Sequence, residues 1–479
     1  MIARAPRPYG LSRAGILAIL LGCVAAALVG PLVATSATAT YGFAALLVIA
    51  GLLAVSARQP AGLVLLIGVV LIAALNDVPQ RLHVGPTTGQ GVETLALLGI
   101  MVLVCLNGYA AGGVPDRARF WPLVLFVAWC VASFTWGGVS QEGIQNVAVY
   151  AAFLGMLVIS ASVGRWRPSE SFRAVSIGFR IAAVVGLTLY FLSVVIEGGG
   201  NPNGSRLIMS PRPFALFGVI LVAWFTAAHL RGERSAKWFI VATLLVTTLS
   251  LSRSGLAAQF ACIALGYLGS IRDFRTFART GLVVGAVLVV GLSAVLFYAP
   301  LRDRVFKGDV TNVGGVTLNV MGRDRVWSEN WGWFQQKPII GWGAGSADRM
   351  TANLPPSIGG AKVGHPHNDY LRILVDFGVI GLAIWVLTYI LLIRMMWKRW
   401  RERLALNTPA AQVCCAAFLA LSGIGLTMMV DNPLIEVVKM APLGMLVGLA
   451  AGMATAEAEE VAALPTTAEP KRGAVVVTR

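Results

Sequence analysis

The sequence predicts an all-α fold: a polytopic transmembrane helical bundle of about 12–14 spans, both termini cytoplasmic. Three observations carry this. Of 479 residues, 57% are hydrophobic and 13% charged, with a mean hydropathy of +0.76, whereas a soluble domain is about a quarter charged. Apolar runs of about 15–22 residues recur almost end to end, near the length that crosses a bilayer core. The runs are continuous rather than alternating, which excludes a membrane β-barrel. The net charge of +16 gathers in short connections between the runs. That is the distribution of orientation signals and anionic-lipid contacts, not of a nucleic-acid surface.

The runs fall at roughly 12–33, 41–56, 62–75, 92–106, 120–136, 147–163, 175–196, 214–230, 238–251, 255–268, 281–298, 371–397, 409–430 and 437–454. Arg4 and Arg7 precede the first run and Arg13 stands at its start; the run is long for a cleaved leader, so a retained span is expected. Basic residues mark alternate connections as cytoplasmic: Arg165/Arg167/Arg173, Arg231/Arg234/Lys237, Arg272/Arg275/Arg279 and Arg394/Lys398/Arg399/Arg401/Arg403. Cys23, Cys105, Cys130, Cys262, Cys414 and Cys415 all lie inside apolar runs. They read as small buried hydrophobes, not as disulfides or thiolate ligands. The expected organisation is a bundle over 1–298, a long extracytoplasmic loop over 299–370, further membrane helices over 371–454 and a disordered cytoplasmic tail over 455–479.

Five connections of interest face the extracytoplasmic side: 76–91, 137–146, 197–213, 252–254 and 299–370. The last is too long for a bare connector and is expected to carry part of a site. Within it, Arg323 to Gln336 predicts a helix ending before Pro338, with Arg323, Trp327, Trp331 and Phe334 on one face. Gly341–Gly345 predicts a tight turn and lacks the Lys-Ser/Thr of a phosphate loop. Trp327, Trp331, Trp333 and Trp342 fit an interfacial aromatic belt, with stacking on sugar rings as the second reading. Gly378 and Gly381 permit close helix approach. Gly378 would stand about 16 Å from His367 along a straight helix, a packing role.

Reactive side chains are densest in His365-Pro366-His367-Asn368-Asp369-Tyr370-Leu371, where the long loop re-enters a membrane helix. His367 falls at or just before a helix N-terminus, whose dipole disfavours imidazolium, and a neutral histidine suits a general base. Asn368 or Asp369 would cap the helix, and His365 ranks lower. No metal is expected, because one short segment rarely supplies three well-placed ligands. Arg253 stands at the outer end of two apolar runs, Arg323 and Arg325 open the loop helix, and Arg206 and Arg212 lie in a Gly-rich connection. Arginine grips phosphate oxygens bidentately; Arg81 and His83 in 76–91 are weaker candidates. Plainer readings stand beside these: a cap for the histidine cluster, headgroup contact for Arg253, solvated charge for the loop arginines. Taken together the residues imply an anionic, phosphorylated, membrane-borne substrate and a reaction needing a base.

These motifs resemble the O-antigen ligase family, which shares its fold with O-antigen polymerases and some bacterial protein-O-oligosaccharyltransferases. The resemblance rests on Ser252-Arg253-Ser254-Gly255, Gly322-Arg323-Asp324-Arg325-Val326-Trp327, Pro338-Ile339-Ile340-Gly341-Trp342-Gly343, and His367-Asn368 with Gly378 and Gly381 beyond, over about residues 200–450. It implies a glycosyltransferase that needs no metal or nucleotide cofactor and inverts the sugar carbon. Such an enzyme moves a glycan from undecaprenyl diphosphate to a sugar hydroxyl of lipid A–core oligosaccharide, at the periplasmic face of the bacterial inner membrane, in lipopolysaccharide biosynthesis. In that setting His367 takes the acceptor proton. Arg253, Arg323, Arg325, Arg206 and Arg212 hold the diphosphate, with Asn368, Asp369, His365 and Trp327 in support. Membrane lipids are further partners and nucleic acid is not. The rivals are a polymerase, a protein glycosyltransferase and, outside enzymes, a lipid-linked glycan transporter. Against a transporter stand the scarcity of mid-span charges, Arg180 being the main one, and the lack of paired broken helices.

Overall fold

A computed structural model of the chain describes residues 61–75, 83–84, 87–88, 117–196, 211–307, 310–313, 316–319, 323–355 and 364–463. The expected runs before residue 61 and at 92–106, with Cys23, Cys105, Arg81 and Arg206, lie outside them, as does most of the tail.

The apolar runs form helices in the expected order: α1 (Ala61–Leu75), α2 (Arg117–Ala132), α3 (Phe134–Gly137), α4 (Gln141–Trp166), α5 (Pro168–Ile196), α6 (Pro211–Leu230), α7 (Ala236–Leu249), α8 (Arg253–Gly269) and α9 (Phe274–Phe297). Three short helices follow: α10 (Ala299–Phe306), α11 (Arg323–Gln336) and α12 (Ser346–Ala352). The chain continues as α13 (Asp369–Arg403), α14 (Pro409–Thr427) and α15 (Val437–Ala463). Among the described residues seven stretches are long and apolar enough to cross a membrane: Phe120–Gly137, Gln141–Trp166, Pro168–Phe191, Phe274–Phe297, Asp369–Arg403, Pro409–Thr427 and Val437–Ala463. Local side chains set where helices begin. Asp273 accepts from Thr276 N at 2.7 Å, so α9 starts at Phe274 rather than near 281.

The all-α bundle carries two small antiparallel hairpins, β1 (His83–Val84) with β2 (Thr87–Thr88) and β3 (Val310–Val313) with β4 (Val316–Asn319). His83 is therefore a strand residue. The second hairpin was legible in its β-branched strands flanking Gly314-Gly315, a pattern that a search for long apolar runs passes over.

Helix α15 is the axis of the bundle, with Val437–Ala454 buried throughout. It packs on α4 through Gly444, Gly448 and Gly452, where any Cβ would collide with the carbonyls of Phe153, Leu157 and Ala161. Small residues four apart let two membrane helices touch backbone to backbone. Helix α9 is outermost and exposes Leu282, Val289 and Phe297. Cys130, Cys262, Cys414 and Cys415 are buried free thiols.

The largest departure from the straight helix expected after residue 371 is at Gly378. Its backbone is non-helical, φ 65 and ψ −168, and α13 turns back on itself there. Tyr370 and Tyr389 would stand about 28 Å apart on a straight helix. Yet Tyr370 donates to Gly425 O at 3.0 Å and the Tyr389 ring lies against the same glycine. The break frees backbone groups that cannot stay unpaired in a membrane, and 338–343 takes them up. Trp342 N and Gly343 N donate to Val375 O and Asp376 O, both at 2.8 Å. Val379 N donates to Pro338 O at 2.8 Å and Ile380 N to Ile339 O at 3.3 Å. Gly378 thus does more than pack: it is the join between two sequence motifs. Gly378→Ala brings a Cβ into Ile339 and strain of about 1–3 kcal/mol. It is expected to lower the melting temperature in detergent clearly, while Gly285→Ala, with nothing within 4 Å, leaves it unchanged.

Candidate active site

Four separate segments meet at one end of the bundle: the start of α8, the start of α11, residues 365–369 leading into α13, and the connection between α14 and α15. At their centre stands Asp431. Its carboxylate accepts from Ser254 Oγ at 3.1 Å and faces His367 Nδ1 at 3.7 Å. Arg323 donates to the neighbouring Val430 O at 2.7 Å. Asn432 Nδ2 also lies 3.3 Å from His367 Nδ1. Burial opposes the charge on Asp431, but the His367 hydrogen bond and the Arg323 guanidinium hold its carboxyl below the usual range. Burial lowers Arg323 from its ordinary value, and Asp431 opposes that.

Asp431, facing Nδ1 at 3.7 Å, favours the tautomer with the proton on Nδ1 and the lone pair on Nε2. The Asn432 amide, whose Nδ2 is placed 3.3 Å from Nδ1, fits that tautomer once its ends are exchanged. Asn432 Oδ1 has no partner, and exchanging the near-identical ends of the amide gives it the Nδ1 proton. His367 has φ 52, a left-handed conformation uncommon outside glycine and more frequent for Asn, Asp and His. It turns the imidazole out of the helix that starts immediately afterwards. Asn368, not Asp369, is the cap, accepting from Leu371 N at 3.0 Å.

Asp369 instead ties the two loops together. It is fully buried; its N donates to Met428 O at 2.8 Å and its Oδ2 accepts from Leu434 N at 2.9 Å. Its other oxygen lies 3.0 Å from the buried Arg372 guanidinium, which also donates to Tyr150 Oη at 3.1 Å. Asp376 accepts from Ala347 N at 2.7 Å and Gly345 N at 3.2 Å, capping α12 from another helix. Asp348 on α12 meets His365 Nδ1 at 2.9 Å and accepts from Asn146 at 2.9 Å. Burial disfavours that charge, yet the His365 bond and Arg372 keep Asp348 below the usual carboxylate range. Charge inside apolar helices is therefore not scarce: Arg372 and Asp376 lie within the span, whereas Arg180 is a partly exposed partner of Glu233 at 2.8 Å.

The expected residues divide. His367, Arg323, Asn368 and Asp369 come together, and Trp327 joins them by donating to Pro366 O at 2.9 Å. Arg253, partly buried, is the first residue of α8, beside Ser254. His365 serves Asp348 rather than Asp431. Arg325 is exposed, about 200° round the helix from Arg323. Arg212 is the second residue of α6. Asp431, Asn432, Asp348, Arg372 and Asp376 were missed. The signal for the first two was a polar Asp431-Asn432-Pro433 between apolar runs, in a connection too short to stand out. Among the described residues no group of three or more His, Cys, Asp or Glu could hold a metal ion.

Residues 238–386 match the family model described as O-antigen ligase. The chain carries an O-antigen ligase family domain. The domain is of the ligase/polymerase type of membrane glycosyltransferases. Its matched span holds Arg253, Arg323, His367 and Gly378 and stops before Asp431, so both side chains that face the histidine's Nδ1 come from beyond the O-antigen ligase match. No curated protein matches the chain.

Proposed function

We propose that the protein transfers a glycan from undecaprenyl diphosphate to a sugar hydroxyl of lipid A–core oligosaccharide at the periplasmic face of the inner membrane. The observation that carries this is the meeting of His367, Asp431 and Arg323, drawn from three segments, at the mouth of a membrane bundle. His367 Nε2 takes the proton of the acceptor hydroxyl. The freed oxygen forms a bond to the anomeric carbon from the face opposite the diphosphate, and the carbon–oxygen bond to phosphate breaks with its electron pair. Arg323 and Arg253 stabilise the charge that gathers on the leaving diphosphate. Asp431 stabilises the imidazolium, which then loses its proton to solvent.

Lipopolysaccharide from a deletion strain tests the acceptor. The expected gel has rough core alone, with lipid-linked polymer accumulating. Core carrying a single unit points instead to a polymerase. Purified protein is expected to transfer glycan in excess EDTA; activity lost and restored by a divalent ion would call for a metal-held diphosphate. Cysteine at 310 is expected to react with an impermeant maleimide in outer-membrane-permeabilised cells and cysteine at 402 is not. The reverse pattern would overturn the periplasmic placement. Arg253→Ala and Arg323→Ala should each strongly reduce transfer, with Lys a partial rescue, since lysine keeps the charge but loses the fork. Near-normal transfer by both alanine variants would reduce these arginines to interfacial anchors.

A further inference from the structure

The four loop tryptophans do not share one environment. Trp327 is bonded to Pro366. Trp342 donates to Trp333 O at 2.9 Å and is covered by Lys337 Nζ at 4.0 Å from its ring centre. Trp331 is different: it is 49% exposed, and its ring is braced 5.0 Å from that of Phe334. It occupies helix α11, the helix that opens with Arg323. At 3.6 residues per turn Arg323, Trp327, Phe334 and Trp331 fall within about 80° of one another, and Trp331 stands about 12 Å along the axis from Arg323.

An interfacial anchor presents a continuous apolar face to lipid. Beside the aromatic Trp327 and Phe334, Trp331 also has polar neighbours. Ser328, one turn before it, and Gln335, one turn after it, are both exposed, and residues at these spacings lie side by side on a helix. An indole face flanked by hydrogen-bonding side chains suits a pyranose ring. The ring's C–H face meets the negative π face, and its hydroxyls meet the amide and the serine.

We propose that Trp331, braced by Phe334 and flanked by Ser328 and Gln335, binds pyranose rings of the donor glycan. The inference rests on reading Arg323 as a diphosphate-binding residue. The donor glycan is chosen because it is covalently joined to that diphosphate, so it must leave Arg323 along some surface, and the face of α11 leads away from it. At about 12 Å, Trp331 meets rings beyond the one bonded to the diphosphate. The bracing by Phe334 fixes the indole before the sugar arrives, which reduces the ordering cost of binding.

Binding to purified protein tests this with two probes: undecaprenyl diphosphate bearing a single N-acetylhexosamine, and the same lipid bearing a complete repeat unit. Trp331→Ala is expected to weaken the repeat-unit donor about tenfold and leave the single-sugar donor unchanged, while Trp331→Phe retains most of the affinity. Equal weakening of both donors assigns Trp331 to anchoring α11 at the lipid surface and overturns the proposal, as does no weakening of either. Because binding is read without turnover, a protein that discriminates the donors but transfers neither refutes the transfer reading alone. Binding of neither probe by the wild type overturns both.

Discussion

His367→Ala is expected to insert and fold normally, bind donor, and transfer glycan about 10²–10⁴-fold more slowly, the usual range for loss of a general base. The imidazole is placed for this by Asp431 facing its Nδ1, which favours the proton there and leaves Nε2 as acceptor. Because His367 has a positive φ, alanine there also perturbs the backbone. His367→Asn separates the two effects, since asparagine tolerates that conformation and has no basic nitrogen; it should be as slow as alanine. His365→Ala should be milder, because its ring serves Asp348, which keeps Asn146 as a partner. If either His367 variant kept more than about a tenth of the rate, the base would have to be sought elsewhere. Asp369 would be a poor substitute, being fully buried between Leu434 N and Arg372.

Asp431→Asn is expected to reduce the transfer rate by at least about 10²-fold with little change in the donor's KM; the same exchange in a serine-protease triad costs about 10⁴. The amide cannot stabilise an imidazolium, and it can present an N–H to Nδ1, which forces the histidine proton onto Nε2. It also removes the charge that faces Arg323. The carboxyl sits below its usual range in the folded protein. Its contribution to stability is therefore present above the ordinary carboxylate range and lost only as pH falls through the depressed value. A variant with near-normal rate would reduce Asp431 to a structural partner of Ser254 and return the tautomer argument to Asn432 alone.

The helices, and the place of His367 in the loop before one of them, were legible because both are local. A long apolar run has to become a helix in lipid, and a Pro-His-Asn preceding such a run has to fall at its start. The loop helix α11 was legible in the same way, from its period and from Pro338. What was not legible is pairing across distance. Nothing local in Asp431-Asn432 says that it will face a histidine on another connection. Nothing in Arg372 or Asp376 distinguishes a buried knot from an isolated charge until Tyr150, Asp348 and the Gly345–Ala347 backbone arrive. Gly378 was noticed for its lack of a side chain, yet its φ of 65 and the partner segment at 338–343 depend on contacts that spacing does not encode.

The join at Gly378 also imposes an order of events on the growing chain. Segment 338–343 precedes α13 in sequence and so is made before the helix whose groups it receives. When α13 follows, its apolar run is stable in lipid only as an unbroken rod, because a break would strand the carbonyls of Val375 and Asp376. The rod can fold back only once 338–343 is close enough to take those groups as it lets go of its own. The broken form of α13 is therefore an exchange of hydrogen bonds, from the ladder of a straight helix to the backbone of 338–343.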